Sequence, residues 1–282
     1  MNKLNPQSSV ARDVSAVLAR LRSLADPRNR EGMIRFAVAN ENALGVSTPM
    51  LRRLAKEIGR DQALAEELWS TGVFEARALA ALIGEPARVT EDLMERWAKD
   101  FDSWAICDGC CLALLHRTPF AHRKALAWAR RDEEFVKRAG FSLMAVLAVH
   151  DKEASDAKFL KFFPAIKRAS RDERNFVRKA VNWALRQIGK RNLQLNRAAI
   201  RAAEEIRAID SPSARWIAAD ALRELKSEAV ARRLTSSPAR DFIRTSGPPS
   251  ARLWSLATPA HSRRRGPRTR ATTLPLHRSA HP

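Results

Sequence analysis

Between residues 10 and 234 apolar residues recur at three- and four-residue steps, and no segment keeps the strict alternation of a half-buried strand. This period predicts helices over 10–24, 49–58, 61–69, 74–83, 90–99, 103–116, 119–130, 133–149, 154–167, 172–190, 193–208 and 212–226. Three starts carry a local signal. Ser47-Thr48-Pro49, Thr118-Pro119 and Ser211-Pro212 each put a hydroxyl ahead of a proline, whose missing N–H costs nothing in a first turn. Helices of 10 to 18 residues joined by short breaks recur every 30 to 40 residues, the spacing of HEAT-like or armadillo-like arrays. The pattern therefore predicts an all-α, HEAT-like helical-repeat solenoid with one concave face over 10–234, with a plain helical bundle as the alternative. Residues 1–9 are expected to be a flexible N-terminus, and 235–282 a disordered Arg/Pro-rich tail.

Charge sharpens this division. The 282 residues hold 51 Lys and Arg against 31 Asp and Glu, a formal net charge of +20. Residues 1–157, with 23 basic and 22 acidic residues, are nearly neutral. Residues 158–201 carry 13 basic residues against Asp172 and Glu173, whereas 202–234 balance at six against six. The tail holds nine Arg, one Asp, seven of the 14 prolines and no Lys or Glu. Clustered positive charge points to a polyanion, either nucleic acid or an anionic membrane surface. The longest apolar run, 139–149, is about half the length that crosses a bilayer. The N-terminal stretch has no apolar signal-peptide core. Cys107, Cys110 and Cys111 form no disulfide framework and suit a reducing compartment, so a cytoplasmic, nucleoid-associated location is expected.

Two segments could carry chemistry. In Asp102-Ser103-Trp104-Ala105-Ile106-Cys107-Asp108-Gly109-Cys110-Cys111, Trp104 and Asp108 lie one turn apart, and Asp108 is the one charged residue between Asp102 and His116. A carboxylate in so apolar a helix either pairs with a structural arginine or faces a cleft where negative charge is useful. The second segment, 175–190, has a core stripe of Val177, Val181, Ala184, Leu185 and Ile188. A separate stripe of Lys179, Trp183, Arg186 and Lys190 suits a phosphate backbone beside an aromatic surface, or is simply a solvated face. Lys137 and Arg138 open a long apolar helix, and Arg138 either reaches a phosphate or partners a buried carboxylate. Other signals fall away: the cysteines lack the further ligands of a zinc site, and His116, His122 and His150 are scattered singly. No phosphate-cradling glycine loop is present.

Four separated segments, Ala43-Leu44-Gly45-Val46-Ser47-Thr48-Pro49 with the following LRRLAKEIG, the Trp104–Asp108 helix, KRAGF, and KAVNWALRQIGK, together resemble the AlkD-like family of DNA alkylation repair proteins. The resemblance implies a HEAT-like helical-repeat solenoid whose concave basic face cradles duplex DNA. It also implies a monofunctional glycosylase acting on N3- and N7-alkylated purines, with a non-catalytic DNA-structure binder on the same scaffold as the alternative. On that resemblance Asp108 is the catalytic carboxylate, Trp104 and Trp183 pack on the deoxyribose of the damaged nucleotide, and Arg138 contacts a phosphate. Lys137, Lys179, Arg186 and Lys190 are the further candidate DNA contacts. Family members approach the lesion from the backbone rather than holding the base in a pocket. Expected partners are double-stranded DNA with alkylated bases and no membrane, for a monomer needing no metal or organic cofactor.

Overall fold

The computed structural model describes residues 13–38 and 41–236. Every regular element among them is a helix: α1 (Val14–Ser23), α2 (Pro27–Arg35), α3 (Thr48–Ile58), α4 (Gln62–Ser70), α5 (Phe74–Ile83), α6 (Glu91–Lys99), α7 (Trp104–Ala113), α8 (Ala121–Trp128), α9 (Glu134–His150), α10 (Asp156–Leu160), α11 (Phe163–Ala169), α12 (Asn175–Gly189), α13 (Leu193–Arg207), α14 (Pro212–Leu225) and α15 (Glu228–Ser236). Short 3-10 turns follow α5 at Pro86–Arg88 and α7 at Leu115–Arg117. None of these helices is long and apolar enough to cross a membrane. The expected flexible N-terminus 1–9 lies outside the described residues. So does the expected tail, except that Thr235 and Ser236 still belong to α15.

The helices form two layers. α3, α5, α7, α9, α12 and α14 pack side by side in chain order, each against the next. α4, α8, α11 and α13 cover this layer from the other side. The covering layer is stitched by aromatic and ionic contacts between successive repeats. Trp69 of α4 stacks on Trp97 of α6 with centroids 4.1 Å apart, and Lys124 and Trp128 of α8 both donate to Glu95 Oε1 of α6 at 2.7 and 2.8 Å. Phe141, Leu143, Met144 and Val146 show why α9 reads as almost wholly apolar: it lies in the middle of the side-by-side layer, called the inner layer below, with a neighbour on each side. Gly140 lets α8 approach closely there, since a Cβ at that position would lie 2.5 Å from Ala129 N.

The differences from the sequence pattern have local causes. Segment 154–167 is two helices because Pro164 sits in the first turn of α11, where its ring excludes the hydrogen bond a continuous helix needs. α2 is too charged for a hydrophobic period to show, but Asp26 caps it by accepting from the N–H groups of Arg28 and Asn29, ahead of Pro27. Ser211 caps α14 as expected. Ser47 makes no side-chain cap bond, and Thr118 instead donates back to the Leu115 carbonyl, so α8 starts only at Ala121. The segment before α3 is held by a carboxylate remote in sequence. Glu75 of α5, fully buried, accepts from the N–H groups of Leu44, Gly45 and Val46 at 2.8, 2.7 and 3.2 Å. Gly45 has φ +81°, and a Cβ on it would stand 2.1 Å from the Asp26 carbonyl oxygen.

Candidate functional site

The candidate site is built on α7, α9 and α12. Ser103 caps α7 by accepting from Ile106 N, which places Trp104 in the first turn and Asp108 one turn on. Asp108 is 4% exposed. Its carboxylate takes a two-pronged grip from Arg138 of α9, Nε to Oδ1 at 2.9 Å and Nη2 to Oδ2 at 2.7 Å, while Ser142 Oγ donates to Oδ1 at 2.6 Å. Ser142 stands one turn beyond Arg138, so one face of α9 supplies all three donors. Arg138 Nη1 donates in turn to the Phe176 carbonyl on α12 at 2.6 Å. Burial alone would depress the Arg138 pKa, but the Asp108 charge and hydrogen bonds outweigh it and hold the guanidinium above its ordinary value. Of the two readings left open for Asp108, the structure therefore gives the arginine pair. Of the two readings left open for Arg138, the DNA-free protein likewise shows the carboxylate partner: the side chain is 7% exposed and directs its nitrogens to Asp108 and Phe176.

The same three helices also carry aromatic side chains. Trp104 Nε1 donates to the Phe36 carbonyl at 2.9 Å, tying the end of α2 to the start of α7. Phe135 and Phe176 meet with centroids 5.4 Å apart across α9 and α12, and Cys107 Sγ approaches the Phe135 carbonyl at 3.4 Å. Trp183 lies two turns along α12 from Phe176, half-buried against the core. Thus Asp108, Arg138 and Ser142 form one hydrogen-bonded cluster, Trp104 stands one turn before Asp108 on α7, and Trp183 lies farther along α12 in the same layer. The three cysteine thiols are fully buried, and burial pushes each above its usual range. This environment disfavours the thiolate a reactive or metal-binding cysteine needs.

The cation stripe expected on α12 is largely neutralised. Arg186 meets Asp220 at 2.5 Å and Glu224 at 2.6 Å, and Lys190 meets Glu224 at 2.5 Å. Burial lowers the Lys190 pKa further than Glu224 restores it. Lys137 pairs with Asp172 at 3.4 Å, where Arg174 also binds. Arg186, Lys190 and Lys137, expected as DNA contacts, thus meet carboxylates in the DNA-free protein. Lys179 alone of the expected stripe is exposed with no ion pair to the described residues. Charge summed along one helix overlooks acids on its neighbour, and α14 supplies them 34 to 38 positions later. Sequence reasoning also missed Ser142, whose one signal is a hydroxyl four residues after Arg138 in an apolar run. It missed Trp216 too, which presents an exposed indole on α14.

Comparison with known proteins places this architecture. No curated protein matches the chain. A solved structure with TM-score 0.63 and 23% identity covers 76% of this chain and 96% of its own; it represents a new family of proteins related to the HEAT-like repeat DNA glycosylases with affinity for branched DNA structures. The likeness supports the HEAT-like repeat fold. The model of the DNA alkylation repair enzyme family matches residues 17–225, nearly all the helical array described above, and the chain belongs to that family.

Proposed function

We propose that the protein is a DNA glycosylase that hydrolyses the N-glycosidic bond of N3- or N7-alkylated purines in duplex DNA, with the inner helix layer as its concave, DNA-facing surface. The observation that carries this reading is the Asp108 carboxylate, held by three hydrogen bonds from α9 and one helical turn from Trp104, in a chain of the DNA alkylation repair family. An alkylated purine is already cationic. When the C1′–N bond breaks, the base keeps the electron pair and leaves neutral, and the positive charge passes to the sugar. A carboxylate stabilises that oxocarbenium character, and indole faces add a cation–π term. Water then adds to C1′ and gives up a proton, leaving an abasic site. No strong acid has to assist the departure.

The donors to Asp108 define its share in this chemistry. Oδ1 accepts twice and Oδ2 once, so one acceptor direction remains on Oδ2 for the sugar or the water. Arg138 and Ser142 act as positioning residues. The test is release of 7-methylguanine from methylated duplex DNA by the purified protein. Asp108→Asn is expected to keep duplex binding and to lose release by a large factor; equal release by both proteins would overturn the role.

The burial and pairing of Asp108 also favour a second reading, a DNA-structure binder that excises nothing. The branched-DNA affinity of the structurally similar family supports it. Salt-sensitive binding to duplex or branched DNA without base release at any protein concentration would establish this alternative.

A further inference from the structure

The seam between α12 and α14 repeats at a fixed offset. Asn182 donates to Asp220 at 2.7 Å, and Arg186 Nε lies 2.6 Å from Glu224, each pair 38 positions apart. At the same offset one turn earlier, Arg178 meets Trp216 instead of an acid, its guanidinium carbon 5.2 Å from the ring centroid. The two helices therefore run parallel, and the first rung of their ladder has an indole where the later rungs have carboxylates. Arg178 makes one long hydrogen bond, 3.4 Å to the neutral Asn175 Oδ1, and its Nε is buried without a partner. Trp216 is 39% exposed, more than any other tryptophan among the described residues. The neighbouring Arg215 is taken up by Asp210 at 2.9 Å.

We propose that Arg178 and Trp216 form a second DNA-backbone contact, the guanidinium taking a phosphate of the flanking duplex and the indole packing on the adjacent deoxyribose. This rests on the DNA-binding part of the proposed function. A guanidinium over an indole keeps its full charge while the ring fixes its plane, which prepares it for a two-pronged phosphate contact. The position fits as well. Arg178 lies two residues beyond Phe176, whose carbonyl holds Arg138, and five before Trp183, so the contact continues the candidate site along the same layer toward α14. The chemistry favours the sugar-phosphate backbone over base edges, because a stacked guanidinium and an indole face carry no donor–acceptor pattern that distinguishes bases.

The experiment is a set of fluorescence-anisotropy titrations of an undamaged duplex from low to moderate salt, with urea unfolding as the control for folding. Arg178→Ala is expected to weaken binding roughly tenfold at low salt, as loss of one charged hydrogen bond does. It should also lower the slope of log affinity against log salt by about one, as loss of one phosphate contact does. Trp216→Asp supplies the missing carboxylate, so it should do the same with Arg178 still present. Trp216→Phe should keep the wild-type slope. If wild type binds and Arg178→Ala and Trp216→Asp match it in affinity and slope, this inference alone is overturned. If wild type fails to bind duplex DNA, the functional reading falls and takes this one with it. Should Trp216→Asp not fold, Arg178→Gln against Trp216→Phe makes the same comparison with the same overturning result.

Discussion

Replacing Arg138 with methionine isolates the interaction at the centre of the inner layer. The substitution keeps most of the aliphatic stem and removes three hydrogen bonds: two to Asp108, at 2.9 and 2.7 Å, and one to the Phe176 carbonyl at 2.6 Å. Asp108 would keep only Ser142 as donor, in a site where it is 4% exposed. Removing one partner of a buried ion pair costs about 3–5 kcal/mol, because the remaining charge is left without compensation. In a domain of this size each kcal/mol moves the melting temperature by roughly 2–4 °C, so a fall of about 10 °C is expected. Replacing both partners, Asp108→Leu with Arg138→Met, removes the charge as well as its partner. The double variant should recover to within about 1 kcal/mol of wild type or exceed it. Urea unfolding followed by circular dichroism at 222 nm measures all four corners of the cycle. A cost below about 1 kcal/mol for Arg138→Met, or a double variant as unstable as the two singles combined, would refute the argument.

Three other expectations can be checked in the same way. Gly45→Ala should destabilise by more than about 2 kcal/mol, because it combines a positive φ with a Cβ 2.1 Å from a carbonyl oxygen, and a melting temperature within 2 °C of wild type would contradict it. Burial lowers the His116 pKa to about 4, so the unfolded chain binds the extra proton first as pH falls. Stability from this group is complete above about pH 6.5 and is lost as pH drops toward 4; His116→Phe should flatten that part of the pH–stability curve, and an unchanged slope would count against it. Glu75 runs the other way: burial outweighs its three backbone donors and raises its pKa. Its contribution is therefore complete below the unfolded carboxylate value and falls as pH rises through the native one. Urea midpoints of wild type minus Glu75→Gln should decrease over that interval; a difference that grows with pH would contradict the sign.

The helical array was legible because its signal is local. Val177, Val181, Ala184, Leu185 and Ile188 stand out as a stripe in the sequence and are all fully buried in α12. Elements without such a stripe, such as the charged α2, escape that reading. At the candidate site the residue types were legible, and an arginine–carboxylate pair stood among the readings without being singled out. Asp108 showed as an isolated carboxylate, but its arginine lies 30 positions away on another helix, and only packing selects among the arginines. The same limit misled the reading of α12, where Arg186 and Lys190 looked free until α14 brought Asp220 and Glu224 against them. The pairing of Arg178 with Trp216 emerges only when the ladder between helices is seen whole.

The most direct test of the central claim is base release under saturating binding. Purified protein and its Asp108→Asn variant are each incubated in excess with methylated duplex DNA, at a temperature where both are folded, and freed 7-methylguanine is quantified. The account predicts release by wild type, and equal DNA occupancy but strongly reduced release by Asp108→Asn. No release by wild type while it occupies the DNA, or undiminished release by the variant, would contradict it.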